Sequence, residues 1–414
     1  MTAENKIEIS KVILAGVDLS ENDFEDSFAE LQELAKTAGG DILASVTQKR
    51  HSIDKNYIFG AGKLAEIKEL ISNKSADLVI FNNNLSPSQI TNLEKVLDCR
   101  VIDRTMLILD IFAQRAKTAE GKLQVEAAQL KYLMPRLVGR RSDLSRLAGG
   151  IGTRGPGETK LETDRRYIRT RLHKLEEEIK RLEKNRNILR RRRLKNQEKT
   201  VAIVGYTNAG KSTLLNALTA SDVFEADKLF ATLDPTTRRL TLPSGKNILI
   251  TDTVGFIRDL PHEIVDAFKS TLEEAVIADL ILIVADVSDP GCEEKIGVTE
   301  ATLKEIGATA RRIVVYNKTD KTGKHKHVAD GENFLFISAK TGFGLAALKE
   351  KIERFFEERF LEINVLFPWD EQSLLATVKK DEIIKIENTD VGAVLTLKVS
   401  ADNRYLNLWK KYLI

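Results

Sequence analysis

Five short stretches carry residue types at spacings that suit one chemistry, the handling of a nucleoside triphosphate. The first is Gly205-Tyr206-Thr207-Asn208-Ala209-Gly210-Lys211-Ser212, which fits G-x-x-x-x-G-K-[ST] and follows the apolar run Val201-Ala202-Ile203-Val204. A strand running into a phosphate loop is expected, with glycines that let successive backbone N–H groups turn toward phosphate oxygens. Lys211 is then placed to reach the β- and γ-phosphates and Ser212 to offer its hydroxyl to Mg²⁺. The helix opened by Lys211, Ser212 and Thr213 aims its positive end at the nucleotide.

The next two stretches lie downstream. Ile248-Leu249-Ile250-Thr251-Asp252-Thr253-Val254-Gly255 reads as a strand ending in D-x-x-G. Asp252 is expected to hold Mg²⁺ through its water shell and the Gly255 amide to sense the γ-phosphate, with Thr253 and Val254 between them at the nucleotide. Before it comes Phe230-Ala231-Thr232-Leu233-Asp234-Pro235-Thr236-Thr237-Arg238. Here Thr232 is the expected second hydroxyl ligand of Mg²⁺, ahead of Thr236 and Thr237, and Phe230 and Ala231 are placed beside the nucleotide. Lys211, Thr232 and Gly255 form the expected catalytic set, and Ser212, Thr232 and Asp252 the metal set.

The last two stretches name the base. Ile313-Val314-Val315-Tyr316 leads into Asn317-Lys318-Thr319-Asp320, which fits N-K-x-D. Asp320 can accept from the N1–H and exocyclic amine of guanine, a donor pair that adenine lacks, so an adenine complex leaves the carboxylate unpaired. Asn317 can address the O6/N7 side, Lys318 can lie over the base, and Ser338-Ala339-Lys340 can close over it. Phe256 follows D-x-x-G where many relatives of this fold place a water-orienting glutamine. Phenylalanine has no group with which to do this. Either it turns away, or another group or a partner completes the site, and slow hydrolysis stimulated by a partner is expected.

The elements that must position these residues are α/β in kind. The chain has 414 residues, 42% of them hydrophobic and 30% charged, with a net charge of +3, and the length suggests about three domains of an ordinary soluble protein. No apolar run reaches the roughly 20 residues that span a bilayer, and the N-terminus lacks a signal pattern. A cytoplasmic protein is expected, with room for peripheral membrane association. Two cysteines, Cys99 and Cys292, argue against a disulfide framework or a four-ligand zinc site.

Ahead of the phosphate loop, Val12-Ile13-Leu14-Ala15-Gly16-Val17, Asp41-Ile42-Leu43-Ala44-Ser45-Val46, Leu78-Val79-Ile80-Phe81 and Arg100-Val101-Ile102 read as strands. Helices around 24–38, 63–72 and 87–97 separate them, giving a small, largely parallel α/β unit. Phe59-Gly60-Ala61-Gly62-Lys63 lacks the spacer of a phosphate loop and reads as a turn opening a helix, with weak phosphate binding as the other possibility. Over 104–137, Leu123, Ala127, Leu130, Met134 and Leu137 recur at helical spacing. A heptad seam follows through Leu161, Ile168, Leu172, Leu175, Ile179, Leu182 and Leu189. Two long helices in an antiparallel hairpin are expected, against an ordinary helical subdomain or a homodimeric coiled coil.

The connector, 138–159, carries six glycines and Pro156, and basic residues surround it. From Arg136 to Lys199 there are 21 Lys and Arg against 9 Asp and Glu, an excess that points to a phosphate-rich partner and, for so long an arm, to structured RNA. Arg140, Arg141, Arg154, Arg190, Arg191, Arg192 and Arg193 are the expected RNA contacts. Toward the end, residues 343–360 read as an amphipathic helix. Segments 381–386 and 391–399 read as a hairpin with Val391, Ala393, Leu395, Leu397 and Val399 on one face, and a short helix bears Tyr405, Leu408, Trp409 and Tyr412.

The stretch Gly155-Pro156-Gly157-Glu158-Thr159-Lys160-Leu161-Glu162-Thr163-Asp164-Arg165-Arg166, the switch segment Phe230-Ala231-Thr232-Leu233-Asp234-Pro235-Thr236 and the hydrophobic Phe256 together resemble the HflX family of ribosome-associated GTPases, in the group of translation-factor GTPases that includes Obg. The likeness runs from about residue 56 to 340. It implies GTP/GDP and Mg²⁺ as ligands and binding to the large ribosomal subunit with the arm near the peptidyl-transferase region. It also implies GTP-dependent splitting of stalled or stress-idled ribosomes.

The expected fold is α/β, with a P-loop GTPase domain (198–360) preceded by a small α/β domain (1–104) and a helical hairpin arm (105–197), and followed by a small α+β domain (361–414). A monomeric GTPase switch is the leading expectation. A large-subunit assembly GTPase, and an ATP-dependent RNA or ribosome remodeller acting through the N-terminal region, are the alternatives.

Overall fold

The computed structural model describes residues 10–19, 23–137, 160–195, 198–219, 229–230, 233–258, 269–322, 331–357, 360–379, 382–400 and 405–414. Its chain divides into two compact units, one comprising 1–240 and 248–342, the other 241–247 and 343–414.

The first unit begins with a parallel four-stranded sheet. Its order is β2-β1-β3-β4, from β1 (Lys11–Asp18), β2 (Asp41–Lys49), β3 (Leu78–Phe81) and β4 (Arg100–Asp103). β1 is buried from Val12 to Val17 without alternation, as a strand covered on both faces requires. The covering helices are α1 (Phe24–Thr37), α2 (Ala61–Lys74) and α3 (Pro87–Leu97). α3 starts on a capping box between Ser86 and Gln89, with Pro87 in its first turn, which satisfies backbone donors that a helix start leaves open. Gly60 is the N-cap of α2, and Lys63 pairs with Glu66 at 2.7 Å, so the 59–63 stretch is a turn that opens a helix.

The apolar spacing over 104–137 resolves into two helices rather than one, α4 (Arg104–Arg115) and α5 (Ala119–Leu133). Ala116 takes an extended conformation, and Thr118 caps α5 by accepting from the Gly121 amide. The third helix, α6 (Lys160–Lys195), is 36 residues long. Glu120 of α5 pairs with Arg186 of α6 and Lys131 with Glu176, so position rises along one helix as it falls along the other and the two run antiparallel. Ile168, Leu172 and Leu175 of the heptad seam are buried against Ala127, Leu130 and Leu137. This part of the seam is therefore covered from within the chain. The 138–159 connector, with Arg140, Arg141 and Arg154, lies outside the described residues; positions 190–193 occupy the last turns of α6.

The six-stranded sheet of this unit has the order β10-β9-β8-β5-β7-β6. Its strands are β5 (Thr200–Gly205), β6 (Thr236–Thr241), β7 (Asn247–Asp252), β8 (Leu280–Asp286), β9 (Arg311–Asn317) and β10 (Phe334–Phe336). β5 pairs in parallel with both β7 and β8 at the point where strand order reverses, the place where open α/β sheets bind ligands beyond their strand ends. Helices α7 (Lys211–Thr219), α8 (Lys269–Ile277) and α9 (Cys292–Glu305) complete it.

The second unit holds α10 (Leu345–Glu357) and an antiparallel sheet of order β11-β13-β12, made of β11 (Phe360–Pro368), β12 (Ile383–Asn388) and β13 (Gly392–Ser400). Ala393, Leu395, Leu397 and Val399 are buried with Trp409, whereas Val391, expected on the same face, stands 65% exposed because it precedes the strand. Among the described residues no helix is long and apolar enough to cross a membrane.

Candidate functional site

The site stands at the carboxyl ends of β5, β7 and β9, where the loops after the strands meet. In the loop from Gly205 to Lys211, Asn208 and Gly210 have positive φ values of 60° and 92°. A Cβ on Gly210 would lie 2.3 Å from Nδ2 of Asn317, so only glycine fits where the loop passes that side chain. Lys211 is buried, and its ammonium donates to the carbonyls of Gly205 at 3.1 Å and Tyr206 at 2.8 Å. Burial pushes its pKa down to about 8, against the pull of Asp252. A buried ammonium held by two backbone carbonyls, with no bonded counter-charge among the described residues, is suited to a polyphosphate.

Ser212 opens α7, and its hydroxyl donates to Oδ2 of Asp252 at 2.7 Å. Asp252 is fully buried at the end of β7. A hydroxyl and a carboxylate side by side form the hard-oxygen set that suits Mg²⁺. Thr253 donates its hydroxyl to the Ile203 carbonyl, and Val254 is buried, so both can meet a nucleotide only through their backbones. Ala231 and Thr232 lie outside the described residues.

Phe230, expected beside the nucleotide, is instead a core residue. It is 2% exposed and meets Phe112 of α4 edge-on, with ring centroids 4.5 Å apart. Burying an aromatic ring against another apolar surface outweighs holding it in a wet phosphate site. Phe256 also turns inward, 1% exposed, with its amide donating to Gly205 and its carbonyl accepting from Thr207.

At the base end, Ser338 donates to Oδ1 of Asp320 at 2.6 Å, which orients the carboxylate. The Thr319 hydroxyl donates to the Ile337 carbonyl and fixes the loop. Asn317, expected to address the O6/N7 side, bonds to both neighbouring loops. Its Nδ2 donates to the Ala209 carbonyl and its Oδ1 accepts from the Ala339 amide, each at 2.9 Å, so it ties the phosphate loop to the Ser338-Ala339-Lys340 loop. Lys318 donates to the Asn208 carbonyl and pairs with Asp286 at 2.8 Å. Burial opposes the charge on Asp286, but the bonds from Lys318 and Ser288 hold its carboxyl below the usual range. Lys340 is exposed.

Several residues at the site have partners that motif spacing does not reveal. Tyr206 donates its hydroxyl to Glu30 of α1, which pairs with Arg104 of α4. Arg258, two residues past Phe256 and almost fully buried, meets Asp23 beside α1 and Glu294 of α9. Asp234 accepts from the amides of Lys117 and Thr118 and from the Thr118 hydroxyl. The one available signal was Asp286, which lies at the carboxyl end of a strand beside the nucleotide loops.

Three family matches cover most of the chain: "GTP-binding GTPase N-terminal" over 25–113, "GTP-binding GTPase Middle Region" over 115–193 and "50S ribosome-binding GTPase" over 200–318. A protein named GTPase HflX from Caldanaerobacter subterraneus subsp. tengcongensis is 55% identical over 362 residues, 87% of this chain and 84% of that one. Another of that name from Escherichia coli (strain K12) is 42% identical over 385 residues, 92% of this chain and 90% of that one. A solved GTP-binding protein from the archaeon Sulfolobus solfataricus, in complex with GDP, aligns with 83% of this chain and 98% of its own at 25% identity and a TM-score of 0.45. With the guanine-nucleotide motifs gathered at the carboxyl ends of one sheet and the two relatives named GTPase HflX matching over most of their length, the chain belongs to the HflX family of GTPases.

Proposed function

We propose that this chain is a GTP-driven switch that binds the large ribosomal subunit through its basic arm and dissociates stalled or stress-idled ribosomes. The observation that carries this reading is the set of bonds from Lys117 and Thr118 to Asp234. A residue of the switch segment thereby holds Thr118, the residue that caps α5 of the arm. Whatever reorders that segment around the γ-phosphate also acts on the arm's root. The match to a family described as "50S ribosome-binding GTPase" and the excess of Lys and Arg over 136–199 support the choice of partner.

In this reading Ser212, Asp252 and Thr232 would hold Mg²⁺, which would supply positive charge against the phosphate oxygens. Lys211 reaches the same oxygens, the Gly255 amide reads the γ-phosphate, and Asp320 selects guanine. Arg140, Arg141, Arg154, Arg190, Arg191, Arg192 and Arg193 meet ribosomal RNA near the peptidyl-transferase region. Hydrolysis is slow alone and faster on the ribosome, because Phe256 supplies no polar group. The protein works as a monomer in the cytoplasm.

The test is sedimentation of stalled ribosomes with the protein and a non-hydrolysable GTP analogue. Separation into subunits, with the protein on the large one, is expected. Ribosomes that bind the protein yet stay whole sink the splitting step and leave an assembly role; ribosomes that do not bind it sink the whole reading.

A further inference from the structure

Phe256 faces the core, so the group that orients the attacking water must come from elsewhere. The candidate lies on the phosphate loop. A Cβ on Gly255 would sit 2.8 Å from Cγ2 of Thr207, 2.9 Å from its Cα and 3.0 Å from Nζ of Lys211. Thr207, the lysine that serves the terminal phosphates and the glycine that senses the γ-phosphate therefore converge on one spot. Covalent geometry keeps the Thr207 hydroxyl within a few ångströms of its own methyl, and so near that spot. Thr207 is 7% exposed, its amide donates to the Phe256 carbonyl, and its Oγ1 finds no hydrogen-bond partner among the described residues. A buried hydroxyl without a partner carries a free-energy cost, and such a cost persists where a ligand supplies the bond.

We propose that Thr207 is a positioning residue for GTP hydrolysis, its hydroxyl donating to a γ-phosphate oxygen while accepting from the attacking water. The water oxygen bonds to the γ-phosphorus, and the bond from phosphorus to the β–γ bridging oxygen breaks. The electron pair stays on GDP, and the water proton passes to a γ-phosphate oxygen that leaves with inorganic phosphate. Thr207 is not consumed. Its hydroxyl fixes the direction of attack, the task of the glutamine that Phe256 replaces. This rests on the GTPase activity of the family and not on the ribosome.

The test compares Thr207→Val, which keeps the shape and removes the hydroxyl, with Thr207→Ser, which keeps the hydroxyl. Single-turnover GTP hydrolysis by the full chain is measured at saturating GTP, beside GDP affinity and trapping of GDP with aluminium fluoride. The valine variant should hydrolyse at least about tenfold more slowly, bind GDP within about twofold of the parent and fail to trap aluminium fluoride, while serine restores both. The proposal is overturned if valine hydrolyses and traps as the parent does, if serine is as slow as valine, or if GDP affinity falls in step with the rate. Thr207→Ala read the same way replaces valine should that variant not fold.

Discussion

Asp234 and Thr118 are 116 positions apart in the chain, yet the Thr118 hydroxyl donates to the Asp234 carboxylate and that same hydroxyl caps α5. The carboxylate also takes the Lys117 and Thr118 amides at 2.9 Å each, so it stands at a helix start where negative charge is favoured. Gly121 makes room for it, because a Cβ there would come within 2.4 Å of Oδ1.

Asp234→Ala is therefore expected to lower stability by about 1 kcal/mol through loss of the bonds that hold Thr118, the cap of α5, and to weaken stimulation of GTP hydrolysis by ribosomes while leaving GDP affinity in place. Gly121→Ala should reproduce the loss of stimulation by displacing Asp234. Thermal unfolding and paired turnover assays with and without ribosomes check this. Full stimulation in both variants would remove the coupling.

Lys211 predicts a pH dependence. In the free protein its pKa is pushed down to about 8, while the unfolded lysine titrates at 10.5. Between those values the unfolded chain binds more protons, so free-protein stability gains from this group as pH rises from 8. A bound polyphosphate restores the charge, so nucleotide affinity should fall by up to about tenfold per unit above pH 8, with proton uptake on binding. Calorimetry at pH 8.5 in buffers of different ionisation enthalpy reads that uptake directly; no uptake means that Lys211 is already charged.

Asp320→Asn should exchange the base preference. In the proposed reading the carboxylate accepts from N1–H and the amine of guanine, whereas an amide offers one acceptor and one donor, the complement of xanthine. Loss of a charge-assisted bond predicts GDP binding about 10- to 100-fold weaker and a gain for xanthosine diphosphate. Competition against a fluorescent nucleotide measures both, and unchanged guanine selectivity would place recognition elsewhere.

Replacing Arg190, Arg191, Arg192 and Arg193 by alanine should weaken ribosome binding and reduce the slope of log affinity against log salt by about 3. Intrinsic GTP hydrolysis should not change. An unaltered slope would mean that these arginines meet no phosphate.

The sheets were legible because parallel strands buried on both faces are continuous apolar runs, as at Val12 to Val17, and the phosphate loop because its glycines cannot be exchanged. The break at Ala116 was hidden. No proline or glycine marks it, and the acid that stabilises the new helix start, Asp234, comes from a distant segment. Phe230 was misplaced for the same reason, since its partner Phe112 lies on α4 and motif spacing carries no long-range packing. Strand β11 is a further element not expected from the sequence, although Ile363, Val365 and Phe367 fall on alternate positions there and turn into the core of the second unit.

The two bonds of the Asn317 amide have a kinetic consequence. They tie the loop at Ala209 to the loop at Ala339, the two that the proposed reading sets at the phosphates and the base. Displacement of either loop is then expected to draw the other with it, and departure of GDP to be a coupled event. A partner that gains purchase on either loop has purchase on the whole ligand.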